Sequence, residues 1–124
     1  MPKVSKQTTE AQDIGVGEVH EAAVDGYAIT FMSLREDADL APMLRGLPDD
    51  RCTCPHWGYV ISGEVTFTFA DHTEAFGAGD GFYVAPGHSP AIAAGTEYVM
   101  FSPEDQMAPV TEVIDRNLAA MQSA

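Results

Sequence analysis

The chain has 124 residues, of which 45% are hydrophobic and 20% charged, enough apolar material for one globular domain with a single core. Six Lys and Arg stand against 19 Asp and Glu, a formal net charge of −13 that repels nucleic acid and anionic membrane and offers no cluster of bases to neutralise phosphates. No stretch approaches the roughly 18 to 20 apolar residues of a membrane span, and the start MPKVSKQTTEAQDIG lacks a hydrophobic signal core. The expectation is a soluble, cytoplasmic protein with no nucleic-acid or membrane partner.

In chain order, residues 1–17 are polar, with scattered Gly and no period, and read as a flexible or loosely docked N-terminal arm. EVHEAAV and YAITFMSL then flank Asp25-Gly26, a hairpin-turn pair, with β-branched and aromatic residues on the second arm. DADLAPMLRGLPDD is too rich in Asp and Pro for a strand and predicts a short helical turn and a loop leading to Arg51.

The next fifty residues predict successive short strands: CTCPHWGYVI, EVTFTFA, TEAFGAG, GFYVAP, SPAIAA and EYVMFS. Ser62-Gly63, Asp71-His72, Gly79-Asp80-Gly81, Pro86-Gly87 and Gly95-Thr96 separate them. Regular spacing without a helical period argues an antiparallel barrel or sandwich over residues 18–106. In the tail, Met107, Val110, Ile114, Leu118 and Met121 recur at steps of three and four. Pro109 stands near a plausible helix start, so residues 107–124 predict a C-terminal amphipathic helix of about three turns packed on the barrel.

Cys52 and Cys54 are the only cysteines, separated by one residue. On one strand their Cα atoms would stand about 6.5 Å apart with parallel Cβ vectors, so a disulfide between them would be strained. Close thiols in a reducing compartment serve as metal ligands, as reactive groups, or as small buried hydrophobes. Without the GxSxG, P-loop and GxGxxG patterns, nucleophilic-serine and nucleotide chemistry find no support, and GAGDGF precedes a strand, so it reads as a turn.

The stretch PHWGYVISGEVTFTFADHTEAFGAGDGFYVAPGHSPAI resembles the cupin superfamily, small jelly-roll β-barrels that usually hold a metal inside. The framework is Tyr59-Val60-Ile61-Ser62-Gly63-Glu64, then Gly79-Asp80, then Tyr83-Val84-Ala85-Pro86-Gly87. The ligand positions depart from the family's pattern of two His and a Glu in the first motif and a third His in the second. His56 occupies the place of the Glu, Cys52 falls at or beside the second His, and Pro90 stands where the third His belongs, with His88 two residues earlier. The resemblance therefore implies fold and cavity, and carries over no particular activity. A metal-dependent enzyme of oxygenase, isomerase or lyase type and a non-catalytic binding or sensor protein both remain open.

Alternation puts Cys52, Cys54, His56, Gly58 and Val60 on one face, which the resemblance turns into the barrel, and Thr53, Pro55, Trp57, Tyr59 and Ile61 on the other. His88 and Pro90 share parity on a later strand. Thiolate and imidazole donors suit one divalent transition metal, Zn²⁺ first and Fe²⁺ second. On an extended strand, residues four apart lie about 13 Å from each other, so Cys54, His56 and His88 form the expected ligand set. Cys52 joins as a fourth ligand if the strand bends near Pro55.

The alternatives are buried thiols beside a hydrogen-bonded core histidine, or a redox-responsive thiol pair without metal. Arg45 and Arg51, near the expected cavity mouth, are candidates for gripping a carboxylate substrate, and Tyr83 for lining the cavity. His72 reads as a solvated turn residue and His20 as structural. The apolar stripe of Trp57, Tyr59 and Ile61 needs a cover: the chain's own arm or helix, or a second copy in a homodimer, as cupins commonly form.

Overall fold

The computed structural model describes residues 3–122, so the first two positions of the expected arm and the last two of the expected helix lie outside it. Ten strands and one long helix follow in chain order: β1 (Ala11–Asp13), β2 (Gly17–Val24), β3 (Tyr27–Leu34), β4 (Ala38–Asp39), β5 (His56–Ser62), β6 (Glu64–Thr68), β7 (Thr73–Gly77), β8 (Gly81–Val84), β9 (Ser89–Ile92), β10 (Glu97–Pro103) and α1 (Glu104–Gln122). The strands form two antiparallel sheets, a six-stranded one in the order β1-β2-β3-β10-β5-β8 and a four-stranded one in the order β4-β9-β6-β7. This is an antiparallel two-sheet barrel, as the strand spacing predicts, in the jelly-roll form that the resemblance implies, with one C-terminal helix.

Local sequence explains the elements. The β2–β3 hairpin turns on Asp25 and Gly26, both with positive φ (50° and 85°), the two-residue turn whose twist matches that of the flanking strands. Along β3, Ala28, Thr30, Met32 and Leu34 are buried while their neighbours face outward, as period two requires. Residues 11–13 of the N-terminal segment form the edge strand, and Lys6 pairs with Glu97 at 2.8 Å. Between β4 and β5 the chain makes two short 3₁₀ turns, Ala41–Leu44 and Pro48–Asp50, with Met43 and Leu44 turned into the core.

The strand expected from Cys52 to Ile61 is shorter than its alternating pattern. It begins at His56, and Cys52 makes only an isolated bridge to His88. Pro55 has no N–H for a ladder and disfavours helical backbone at Cys54, so the chain bends across 53–55 before β5 starts. The helix also differs, running 19 residues from Glu104 rather than three turns from 107. Its first turn is polar, with Glu104 and Asp105 favourably placed at the positive end of the helix dipole, so apolar periodicity could not reveal it. Pro109 falls in the second turn.

Val60, Val65, Phe67, Val84, Ile92 and Tyr98 fill the space between the sheets, all nearly or completely buried. Gly58 lets the Phe82 ring lie against β5, for a Cβ there would collide with that ring and with the Val99 carbonyl. One end of the barrel is covered by α1, which packs on the Ala41–Leu44 turn and is clamped there by Asn117. The Asn117 side-chain amide donates to the carbonyls of Met43 (2.8 Å) and Arg45 (2.9 Å). No helix among the described residues is long and apolar enough to cross a membrane.

Candidate metal centre

Inside this end of the barrel lies a cavity of about 100 Å³, walled by both sheets, the Ala41–Leu44 turn and α1. Its lining is mostly apolar: Met32, Met43 and Leu44 on one side, Met107, Val110 and Leu118 of the helix on the other. Cys52, His56 and His88 stand together in its wall, all buried, with their ligand-capable atoms within 4.8 Å of one another. Among the described residues no other group of His, Cys, Asp and Glu side chains has this geometry.

The bend at 53–55 makes the cluster possible. Cys52 N–H donates to the His88 carbonyl at 2.8 Å and the Cys52 carbonyl accepts from Gly87 N–H at 2.8 Å, so the Cys52 segment is tied to β9's approach rather than to the sheet of β5. Residues four apart then meet at their tips, and Cys52 Sγ lies 3.5 Å from His56 Nε2. A tetrahedral Zn²⁺ with a Zn–S bond near 2.3 Å and a Zn–N bond near 2.0 Å separates its sulfur and nitrogen ligands by about 3.5 Å. The donor set and this edge of the cluster therefore fit a tetrahedral zinc ion.

Both imidazoles are oriented from behind, as metal-binding histidines are. His88 Nδ1–H donates to the Ala85 carbonyl at 2.7 Å, which leaves Nε2 as a lone-pair donor, and that atom makes no hydrogen bond among the described residues. His56 Nδ1 is 2.7 Å from Ser102 Oγ, a buried hydroxyl that can accept the Nδ1 proton and so direct the His56 Nε2 lone pair at Cys52. Edge-on packing of the His88 ring against His56 and Phe67 restricts its rotation.

Burial sets the charge states. Desolvation, with a contribution from His88, brings the His56 imidazole down to about 3, and desolvation also lowers His88 against the opposing Ala85 hydrogen bond. Burial pushes the Cys52 thiol up to about 11. Without a cation at the centre, thiol and imidazoles are thus all neutral near pH 7. Burial of both groups works against a cysteine–imidazolium ion pair of the kind that makes a nucleophilic cysteine. Two neutral histidines offer lone pairs to a metal, and the Cys52 thiol would have to release its proton to join them.

Of the residues expected at the site, His56, His88 and Cys52 come together and Cys54 stays apart from them. Cys54 is fully buried, its Sγ donates to the Pro55 carbonyl at 3.3 Å, and burial followed by the nearby Cys52 pushes its thiol up to about 12. Arg45 and Arg51 do not line the cavity. Tyr83 does not line it either: β8 turns Phe82 and Val84 inward, so Tyr83 faces outward, its ring 5.1 Å from that of Trp57. His20 also faces outward, covered by the N-terminal segment through a 3.0 Å contact of its Nδ1 with the Thr9 carbonyl oxygen. His72 is surface-exposed between Asp71 and Glu74. Glu21 and Asp115 also line the cavity without having been expected there. The available signal was a carboxylate at an inward position of β2.

Solved structures with the same architecture are similar to this chain along most of its length. They include an RmlC-like cupin from Shewanella frigidimarina NCIMB 400 (18% identity, TM-score 0.55, covering 81% of this chain and 88% of that one). The polyketide cyclase RemF from Streptomyces resistomycificus is similar at 16% identity and a TM-score of 0.57, covering 83% and 79%. KdgF from Halomonas sp. is similar at 17% and 0.56, covering 80% and 90%. No protein-family model matches the chain, and no curated protein does. The protein has the cupin fold, a jelly-roll barrel with a candidate Cys/His metal site inside.

Proposed function

We propose that this protein binds one divalent transition metal, zinc before iron, through Cys52 Sγ, His56 Nε2 and His88 Nε2, and presents it to a small molecule in the cavity. The observation that carries the reading is the buried three-residue cluster with its 3.5 Å sulfur–nitrogen edge opening into an apolar chamber. Three protein ligands leave a position for water or ligand, the arrangement of catalytic rather than closed zinc sites. A metal so held supplies Lewis acidity, towards a carbonyl or a bound water. The chain's own contribution is to hold the imidazoles neutral and aimed, and to keep bulk water out. Fold likeness does not select a reaction, so a binding or sensing role with the same metal is the second reading.

Elemental analysis of untagged protein, purified without chelator, tests this beside Cys52→Ser, His88→Gln and Cys54→Ser. About one equivalent of metal is expected in the wild type and in Cys54→Ser, with loss in the other two. Metal-free wild type after metal-supplemented growth overturns the reading. Metal kept by Cys52→Ser and lost by Cys54→Ser would transfer the thiolate role to Cys54.

The outer face of the six-stranded sheet supports association with a second copy. Trp57, Tyr59 and Ile61 of β5, Tyr83 of β8 and Phe101 of β10 are each between 41% and 49% exposed on three adjacent strands. The chain's own arm covers the neighbouring His20 side and leaves this stripe open. Five half-exposed side chains of this size offer roughly 500 Å², the apolar centre of an interface of about 800 Å² per partner.

A further inference from the structure

Methionine is concentrated in the cavity wall. Of the five methionines among the described residues, four line it: Met32 on β3, Met43 in the Ala41–Leu44 turn, Met100 on β10 and Met107 on α1. All four are buried. Branched side chains of fixed shape fill a core to native density, whereas an unbranched thioether adapts to what lies against it and makes favourable contacts with aromatic rings. The space of about 100 Å³ between these side chains forfeits packing contacts that a closed core would make. An apolar cavity of about 150 Å³ stays dry and takes a benzene ring, so this one has room for a single ring or a short branched chain once the methionines adjust.

Charge is kept at the margin of this space. Among the described residues no Lys or Arg lines the cavity, and the two carboxylates that do, Glu21 and Asp115, are exposed. Glu21, Met107, Thr111 and Asp115 also line an open groove on the outer side of β2 and α1, so the carboxylates mark the mouth and stand in water there. An ion drawn past the mouth would lose its hydration, and the apolar wall supplies no opposite charge in return.

We propose that the chamber takes a small uncharged molecule, one hydrocarbon ring or short branched chain bearing a hydroxyl or carbonyl group, with its body among the four methionines and its polar group at the Cys52–His56–His88 cluster. This rests on the cavity being the ligand site, as proposed above, and names the kind of ligand. A hydroxyl suits the cluster in either state. Its oxygen lone pair ligates a metal, and in a metal-free site its O–H donates to His88 Nε2, the ring nitrogen left over when Nδ1–H bonds to the Ala85 carbonyl. Carboxylates and protonated amines are turned away by the uncharged wall, and bodies much larger than one ring by its volume.

Benzyl alcohol, benzoate and benzylamine share one ring and differ in charge, and naphthylmethanol adds a second ring to the alcohol. Their affinities are measured calorimetrically on the full chain, as purified with its metal content determined and again after chelation, which reads the cavity without a metal's attraction for anions. In the chelated protein benzyl alcohol is expected to bind about tenfold tighter than either ion, and about tenfold tighter than naphthylmethanol. Met43→Phe and Met107→Phe each put a stiff ring into the chamber, and should weaken benzyl alcohol about tenfold with metal content and circular dichroism unchanged. Either ion binding as tightly as benzyl alcohol, no binding of benzyl alcohol, or unchanged affinity in both folded variants overturns the inference. Tighter binding of naphthylmethanol also overturns it, because that order belongs to an open apolar surface such as the stripe of Trp57 and Tyr59. Should neither variant fold, the charge and size series on the wild type decides alone. If the inference fails while metal stoichiometry is intact, the metal reading stands. Size-limited binding of the alcohol by protein that never holds metal would remove the metal reading alone.

Discussion

Acid should destabilise the metal-free protein through His56. The imidazole is held near 3 in the folded chain against an ordinary value of 6.5, with burial as the main cause and His88 as the second. A depressed folded value means that the unfolded chain takes up the proton first. Stability from this group is therefore complete above about pH 6.5 and is lost as pH falls from there towards 3. At pH 5 the unfolded imidazole is protonated about 30 to one while the folded one stays neutral, a difference of about 2 kcal/mol relative to pH 7.5. His88, also lowered, acts in the same direction.

The assay is urea unfolding at pH 7.5 and pH 5.0 in the presence of a chelator, for wild type and His56→Gln. Glutamine can keep a hydrogen bond to Ser102 but cannot titrate. Acidification also relieves the mutual repulsion of a chain at −13, which opposes the loss, so the decisive quantity is the difference between the two proteins. The wild type should lose about 2 kcal/mol more than the variant between the two pH values. An equal loss in both would show that His56 is solvated or already charged, and the argument for a neutral, ligand-ready imidazole would fall with it.

Metal should steepen that acid dependence: uptake by Cys52 releases a proton, so affinity for Zn²⁺ should fall about tenfold for each unit of pH below neutrality, measured by competition with a chromophoric chelator. On the outer face, Trp57→Lys with Tyr59→Glu should give a monomer by light scattering where the wild type is a dimer, with unchanged metal content, and a monomeric wild type at micromolar concentration would refute the interface. Added salt should strengthen the wild-type association, because it screens the repulsion of two copies at −13. Gly58→Ala should cost about 1–3 kcal/mol, seen as a lower urea midpoint, since its Cβ displaces the Phe82 ring from β5.

Much of the fold was legible because the signals were local. The Asp25-Gly26 turn needs no tertiary information, and the Gly-rich separators after Ser62 stop strands wherever they occur. Alternation from His56 to Ile61 was readable once both faces had a fixed environment, apolar core within and the exposed stripe without. The polar first turn of α1 was not readable, because apolar periodicity cannot register residues that face water. The acidic end of the cavity was hidden for a different reason. Glu21 and Asp115 stand 94 positions apart, and only the packing of α1 over β2 and β3 makes them neighbours of one space.

The ligand cluster shows how one imino acid redirects a parity argument. On an unbroken strand, Cys54 and His56 would be the adjacent inward pair and Cys52 would be too distant to join them. Pro55 withholds a ladder hydrogen bond, and the bend it favours lets Cys52 fold back to pair with His88 through the backbone. The same bend turns Cys54 onto its own neighbour's carbonyl. Replacing Pro55 by Val tests this directly, because a β-branched residue with an N–H favours extending the strand. The proposed metal site depends on the bend, so Pro55→Val is expected to hold less metal than the wild type while remaining folded by circular dichroism. Retention of a full equivalent by a folded Pro55→Val protein would mean that the Cys52–His88 bridge sets the geometry without the proline.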